Sequence, residues 1–413
     1  MRFSRRQLLG GAAALGGLGL FPRPARAEPR ERKFLFFFAQ GGWDTTTVLD
    51  PHFDSAGVDM DPDTYLGTAG NLQFTDGMDR PSVGRFFQRW GGRAAIVNGI
   101  DAHSVGHESG RQFVMTGTSA SSYADWPTIL AANSSIPSPL PHVVFSGPSY
   151  AGTAASAVVR AGGGTLLDLL DASILGQSDS PTPIMSSPTD SMVDAFVQKR
   201  VNSYAAAVRG GGVQRTESLR TNLERAMELE GRRFEAGLSD LGSAMLDQGL
   251  KACELFRLGL SRCAMIGVDG GYDTHSNEGS QILMQDPFFA ALDEILSHAA
   301  TTPGYSTPWL IDELVIVALS EFGRTPKLNG GNGKDHWPYG SALVVGSGVR
   351  GNQNLGYTDE NLIALPIDFS TGKPSSSGDM LGCEHLGAAL LKIGGLDPQQ
   401  HLPDVQSLDA LVL

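Results

Sequence analysis

Four of the nine histidines, His103, His107, His275 and His336, stand in short polar segments beside apolar runs. The segments are Asp101-Ala-His103, His107-Glu-Ser-Gly-Arg111, Asp269-Gly-Gly-Tyr-Asp273-Thr-His275 and Lys334-Asp335-His336. Two further segments, Gln40-Gly-Gly-Trp-Asp44 and Ser320-Glu321-Phe-Gly-Arg324, bring acids and another arginine. Imidazole and carboxylate together are the donors that Zn²⁺, Mn²⁺ and Mg²⁺ take from proteins. Two such ions close together can activate a nucleophile and clamp a transferring phosphoryl group. A single Asp or His after a strand usually caps or turns the chain. Several such segments reaching one sheet edge instead point to a metal site. The metal candidates are Asp44, Asp273, His275, Glu321, Asp335 and His336. The catalytic candidates are His107, Ser109, Arg111 and Arg324. His107 would act as metal ligand, acid/base or covalent nucleophile, and Ser109 as an alternative nucleophile at a helix start, where amide dipoles favour anions. Arg111 and Arg324 would either bind an anionic oxygen bidentately or anchor loops through ion pairs.

The elements that must position these groups are legible as apolar runs. Lys33-Phe-Leu-Phe-Phe-Phe-Ala-Gln40 halts at Gly41-Gly42 and reads as a strand buried on both faces. Similar runs are Ala94–Val97, His142–Phe145, Cys263–Val268, Leu314–Leu319 and Ala342–Val345. Helical patterns lie between several of them, so the expected fold is α/β, a doubly wound, mostly parallel sheet sandwiched by helices. The longest helical stretch, 218–262, reads as a pair of amphipathic helices on the sheet, with Met227, Phe234, Leu238, Leu241 and Met245 along one face. Stretches 176–190 and 370–379 read as surface loops. Ligands in open parallel sheets bind beyond the carboxyl ends of the strands, where the polar segments fall.

Residues 1–27 read as a twin-arginine signal peptide. Ser4-Arg5-Arg6 precedes the apolar run Leu8–Phe21, and Ala25-Arg26-Ala27 gives the cleavage site. That run has 14 residues, short of the ~20 needed to span a bilayer. The expectation is folded export by the twin-arginine translocation machinery to the periplasm or beyond. The chain carries a net charge of −13, and without the five arginines of the leader about −18. A body this acidic is a poor match for nucleic acid or anionic lipid, whose binding needs Lys/Arg clusters. Cys253, Cys263 and Cys383 show no C-x-x-C spacing and read chiefly as small buried hydrophobes.

The segments GVDGGYDTHSNEG, ALSEFGRTPKLNGGNGKDHW and SALVVGSGVRG resemble the exported bacterial family named "domain of unknown function 1501", over roughly residues 33 to 400. That family resembles the alkaline phosphatase superfamily, which includes sulfatases. The resemblance implies an alkaline phosphatase-like α/β sandwich, a single domain over 28–413. HESGRQFVMTG is similar to the sulfatase signature C-x-P-S-R followed by four residues and T-G. His107 falls on the nucleophile Cys, Gly110 on the Ser, Arg111 on the Arg and Thr116-Gly117 on the T-G. Leu319–Gly323 resembles the strand end S-D-H-G, with Glu321 as the carboxylate and Phe322 in place of the His. Asp273 and His275 resemble the Asp/His pair of the other metal, and His336 the third metal histidine. Asp44 is the acid nearest the first-strand position.

The implied function is an exported metal-dependent hydrolase of phosphate or sulfate esters, holding zinc, manganese, magnesium or calcium, one ion rather than two. Its substrate would be an anionic small molecule or an envelope component. The alternative is a non-catalytic descendant binding an envelope ligand or protein, motivated by His107 and Phe322. A serine hydrolase lacks its G-x-S-x-G elbow.

Overall fold

Lys33–Ala39 (β1) lies in the middle of an eight-stranded sheet, and its side chains explain the layers. Leu35, Phe37 and Ala39 point into one apolar layer and Phe34, Phe36 and Phe38 into the other, all at most 1% exposed. A strand buried on both faces has no polar side to alternate with, which is why the run is continuous. The computed structural model describes residues 31–162, 174–175, 182–183, 185–208, 212–229, 244–268 and 271–413. The twin-arginine segment, Asp269 and the helical positions Phe234, Leu238 and Leu241 lie outside them.

The other strands of this sheet are Ala94–Asp101 (β4), His142–Val144 (β5), Val158–Arg160 (β6), Cys263–Val268 (β7), Leu314–Ser320 (β8), Tyr339–Gly346 (β11) and Gln353–Leu355 (β12). A separate antiparallel hairpin is made by Thr64–Ala69 (β2) and Leu72–Gly77 (β3), and a short antiparallel ribbon by Gly323–Arg324 (β9) and His336–Trp337 (β10). The sheet order is β12-β4-β11-β8-β1-β7-β5-β6. β1 runs parallel to β7 and β8, β5 to β6 and β7, and β12 to β4. Only β11 runs against its neighbours, β8 and β4. Its beginning therefore lies at the edge where the parallel strands end.

Helices cover both faces. Pro81–Trp90 (α1), Met245–Arg257 (α6) and Gly279–Thr301 (α7) supply Phe86, Phe87, Phe256, Phe289 and Leu292 to one layer. His107–Thr116 (α2), Trp126–Ala132 (α3) and Cys383–Ile393 (α8) supply Met115, Trp126, Leu130, Leu386 and Leu390 to the other. The fold is thus doubly wound α/β with a mostly parallel sheet. Two sequence expectations need correction. Of the helices expected on the sheet over 218–262, α6 packs there, but Gly212–Leu229 (α5) packs chiefly against Ser187–Ala207 (α4). The loop expected over 176–190 is already helical from Ser187. The three cysteines are free and buried. Among the described residues no helix is long and apolar enough to cross a membrane.

Candidate metal centre

The corner after β1 comes first, because everything else is tied to it. Gly41 and Gly42 turn the chain at φ +121 and +80. A Cβ on Gly41 would stand 2.6 Å from the Asp273 nitrogen, and one on Gly42 2.4 Å from the Phe322 ring. Glycine alone lets three loops meet here. The Gly42 and Trp43 amides donate to Ser320 Oγ at the end of β8, each at 3.1 Å. The Gly41 amide donates to Glu321 Oε1 at 2.9 Å.

Arg324, fully buried on β9, closes the corner from behind. It donates to the carbonyls of Gly41, Gly42 (2.7 Å), Tyr272 (2.9 Å) and Lys334 (2.9 Å), and to Asp273 Oδ1 (2.7 Å). Burial works to raise the Asp273 pKa. Hydrogen bonds from Arg324 and His336, with the charges of Arg324 and His107, outweigh it and hold the carboxyl at about 2.

Three imidazoles surround that carboxylate. His107, the first residue of α2, sets Nδ1 2.9 Å from Glu321 Oε1 and Nε2 3.4 Å from Asp273 Oδ2. His275 sets Nδ1 3.0 Å from Asp335 Oδ1 and Nε2 3.1 Å from Asp273 Oδ1. His336, on β10 opposite Arg324, sets Nδ1 2.7 Å from the Val105 carbonyl and Nε2 3.3 Å from Asp273 Oδ1. A carbonyl or carboxylate only accepts, so a ring that gives its Nδ1 hydrogen to that acceptor presents Nε2 as a lone pair when neutral. Three Nε2 atoms are turned toward one carboxylate, with those of His275 and His336 only 3.0 Å apart. The donor atoms of His107, Asp273 and His336 lie within 4.8 Å of one another. One nitrogen held from behind by a carbonyl or carboxylate and the other directed at a shared point is the usual posture of a metal-binding histidine.

The structure therefore brings His107, Asp273, His275 and His336 together, with Glu321 and Asp335 behind the rings of His107 and His275. It does not bring Asp44. That residue is buried, with Oδ2 2.6 Å from the ammonium of buried Lys334 and Oδ1 accepting from Thr46 N and Oγ1. Arg324 likewise faces five internal acceptors rather than the cleft. Ser109 Oγ is bonded to Ser104 Oγ and, at 3.2 Å, to the Gly106 carbonyl. Arg111 reaches Glu108 and the His107 carbonyl (3.2 Å), yet lines a cleft of about 520 Å³ with Gln40, Glu108, His107 and Asp273. Phe322 is a buried wall, its ring 5.1 Å from that of His107 and 4.4 Å from that of His336. Gly110 lets α2 come this close, since a Cβ there would meet Phe322 and the Glu321 carbonyl at 3.0 and 3.1 Å.

Sequence reasoning passed over three supports. Lys334 was visible only as a neighbour of Asp335. Gln281 of α7 accepts from Asp44 N and donates to the Tyr272 carbonyl, and no motif marked it. Glu278 accepts from Thr274 Oγ1 at 2.9 Å. Burial, then the negative charge of Asp44, pushes its pKa up to about 8. An acid protonated in the fold but ionised when unfolded binds more protons folded, so its contribution to stability falls as pH rises from about 4.5 to about 8. Glu278→Gln is expected to remove that decline. Melting temperatures of variant and parent at pH 5 and 9 check it, and a difference that does not grow toward pH 9 in the variant's favour would refute it.

His103 stands apart from the cluster, between Asp101 and Glu384. Hydrogen bonds to Asp101 and then Glu384 raise its pKa to about 10.

No curated protein matches the chain. Solved structures of similar shape include "Ps i-CgsB in complex with k-i-k-neocarrahexaose", 10% identical over 92% of this chain and 75% of that chain, with a TM-score of 0.39. A protein in the alkaline phosphatase superfamily from Vibrio parahaemolyticus is 11% identical over 89% of this chain and 67% of that chain, with a TM-score of 0.35. The family described as "Protein of unknown function (DUF1501)" matches residues 32–365, the whole stretch that carries the metal-centre residues, and the chain belongs to that family.

Proposed function

We propose that the protein is a metal-dependent hydrolase of phosphate or sulfate esters, with one divalent ion held by His107, Asp273, His275 and His336. The observation that carries this is the convergence of three Nε2 atoms on Asp273, each ring fixed from its other nitrogen. Three imidazoles and a carboxylate suit Zn²⁺ or Mn²⁺ better than Mg²⁺ or Ca²⁺, which prefer oxygen donors. Bound there, such an ion supplies Lewis acidity toward an ester oxygen and a water.

The chain's own residues do the rest. Glu321 and Asp335 fix two imidazoles, and Arg324 fixes Asp273. Arg111 is the permanent cation among the residues lining the cleft and orients the anionic oxygens of the ester. Side-chain exposures of 33% for His107 and 46% for His275 leave the donors open to substrate. Lys334 holds a positive charge against Asp44, so this acid adds no second ion.

A second reading, a binding protein without turnover, is favoured by the helix start: His107 replaces a hydroxyl or thiol nucleophile, and Ser109 Oγ is engaged elsewhere. Elemental analysis of the purified chain and hydrolysis of aryl phosphates and sulfates, with and without chelator, decide. An ion that Asp273→Asn loses, with chelator-sensitive turnover, supports the hydrolase; such an ion without turnover supports the binder; neither removes both. Export through the twin-arginine pathway is part of the proposal and rests on residues 1–27. Arg5→Lys with Arg6→Lys should hold the protein in the cytoplasm in cell fractionation, and unchanged export would overturn it.

A further inference from the structure

The end of β4 and the start of α8 carry a second set of metal donors, separate from the first. Asp101 N donates to the Leu381 carbonyl at 2.8 Å, and Asp101 forms a parallel bridge with Gly382. Backbone contacts thus hold two segments side by side whose next residues are His103 on one and Cys383 and Glu384 on the other. His103 Nε2 lies 3.0 Å from Glu384 Oε2, and Cys383 Sγ lies 3.6 Å from the same oxygen. The donor atoms of all three residues are within 4.8 Å of one another. Behind the imidazole, Asp101 Oδ2 stands 3.5 Å from Nδ1. That is the carboxylate–histidine arrangement that orients a metal-binding ring from its far side. Gly382 gives the Glu384 carboxylate room to fold back, since a Cβ there would lie 2.4 Å from Oε1.

We infer that His103, Cys383 and Glu384 form a second binding site for a zinc-class ion, with Asp101 orienting the histidine. A thiolate, an imidazole and a carboxylate together exclude Mg²⁺ and Ca²⁺ and select a borderline-soft ion. Three protein donors leave a coordination position for water, and His103, 37% exposed in its side chain, lies on the way in. Binding converts the Cys383 thiol to a thiolate and releases its proton, with that of His103 Nε2, to solvent. The ion then ties the β4 end to α8, next to the segment that leads into His107. The inference does not depend on the hydrolase reading, because it uses none of the same residues.

Cobalt(II) titration of the full-length protein under reducing conditions tests it. The first site has no cysteine, so a thiolate-to-cobalt charge-transfer band in the near ultraviolet reports the second site alone. Cys253 and Cys263 belong to no metal-binding group among the described residues. The band is expected in the parent protein and in Asp273→Asn, and its loss is expected in Cys383→Ser. His103→Asn keeps a residue that tolerates the positive φ of 53° at this position, and should weaken cobalt binding by about tenfold or more. A parent protein that shows no such band at saturating cobalt, or a band that persists unchanged in Cys383→Ser, would overturn the site.

Discussion

Asp273→Asn is expected to empty the three-histidine centre, lowering its affinity for Zn²⁺ by about a hundredfold or more while leaving the fold intact. The side chain is the hub of the cluster, within 3.4 Å of His107, His275 and His336. Asparagine keeps the shape and an oxygen for the Arg324 guanidinium, but not the negative charge. That guanidinium, 2.7 Å away, then faces the incoming ion without compensation. Stability should change little, since Asp273 is about half exposed and an exposed carboxylate contributes little through its ion pairs. Metal content after dialysis against a weak chelator, read beside urea unfolding of the metal-free protein, separates the two effects. With the second donor set removed by Cys383→Ser in both proteins, stoichiometric metal retained by the Asp273→Asn variant would place the ion elsewhere.

Lys334→Met is expected to do the opposite: to spare the donor atoms and cost the fold. The ammonium, 1% exposed as a residue, lies 2.6 Å from Asp44 Oδ2 and 3.1 Å from Thr46 Oγ1. Removing one partner of a buried pair leaves the other charge stranded, at a cost of about 3–5 kcal/mol. Asp44 would then stand beside Glu278, another buried acid, with no cation between them. The double variant Asp44→Asn with Lys334→Met strands no charge and should recover a large part of the loss. Urea midpoints for the two single variants and the double one check this. A double variant as unstable as the sum of the singles would show that the two residues act separately.

The strands were legible because their burial on both faces left unbroken apolar runs, and all six runs are strands of the one sheet. Their direction was not legible. Nothing in Ala342–Val345 says that β11 runs against its neighbours, and that reversal is why His336, which precedes it, meets His107, which follows β4. β6 and β12, three residues each at the sheet edges, are too short to show a period. At the site, residue type picked out His107, Asp273, His275 and His336, because imidazoles and acids gather in the polar segments beside the apolar runs. It could not separate the ring-bearing atoms from those that hold the rings. Glu321 and Asp273 are both acids just beyond a strand. What distinguishes them is that Glu321 is fully buried and spends Oε1 on the Gly41 amide and His107, which only the packed corner decides. Asp44 lay in an equally suggestive place, and its partner came from 290 residues further along the chain.

Arg324 has a further consequence. Its guanidinium is held by four backbone carbonyls before it reaches Asp273, so the carboxylate is fixed by the fold and not by the ion. In small metal-nucleated domains the ion and the folding transition are inseparable. In this protein the entropy of ordering the three loops is spent during folding. Capture of an ion at this centre would then be a docking event on a finished surface, and exchange of that ion would not pass through an unfolded state.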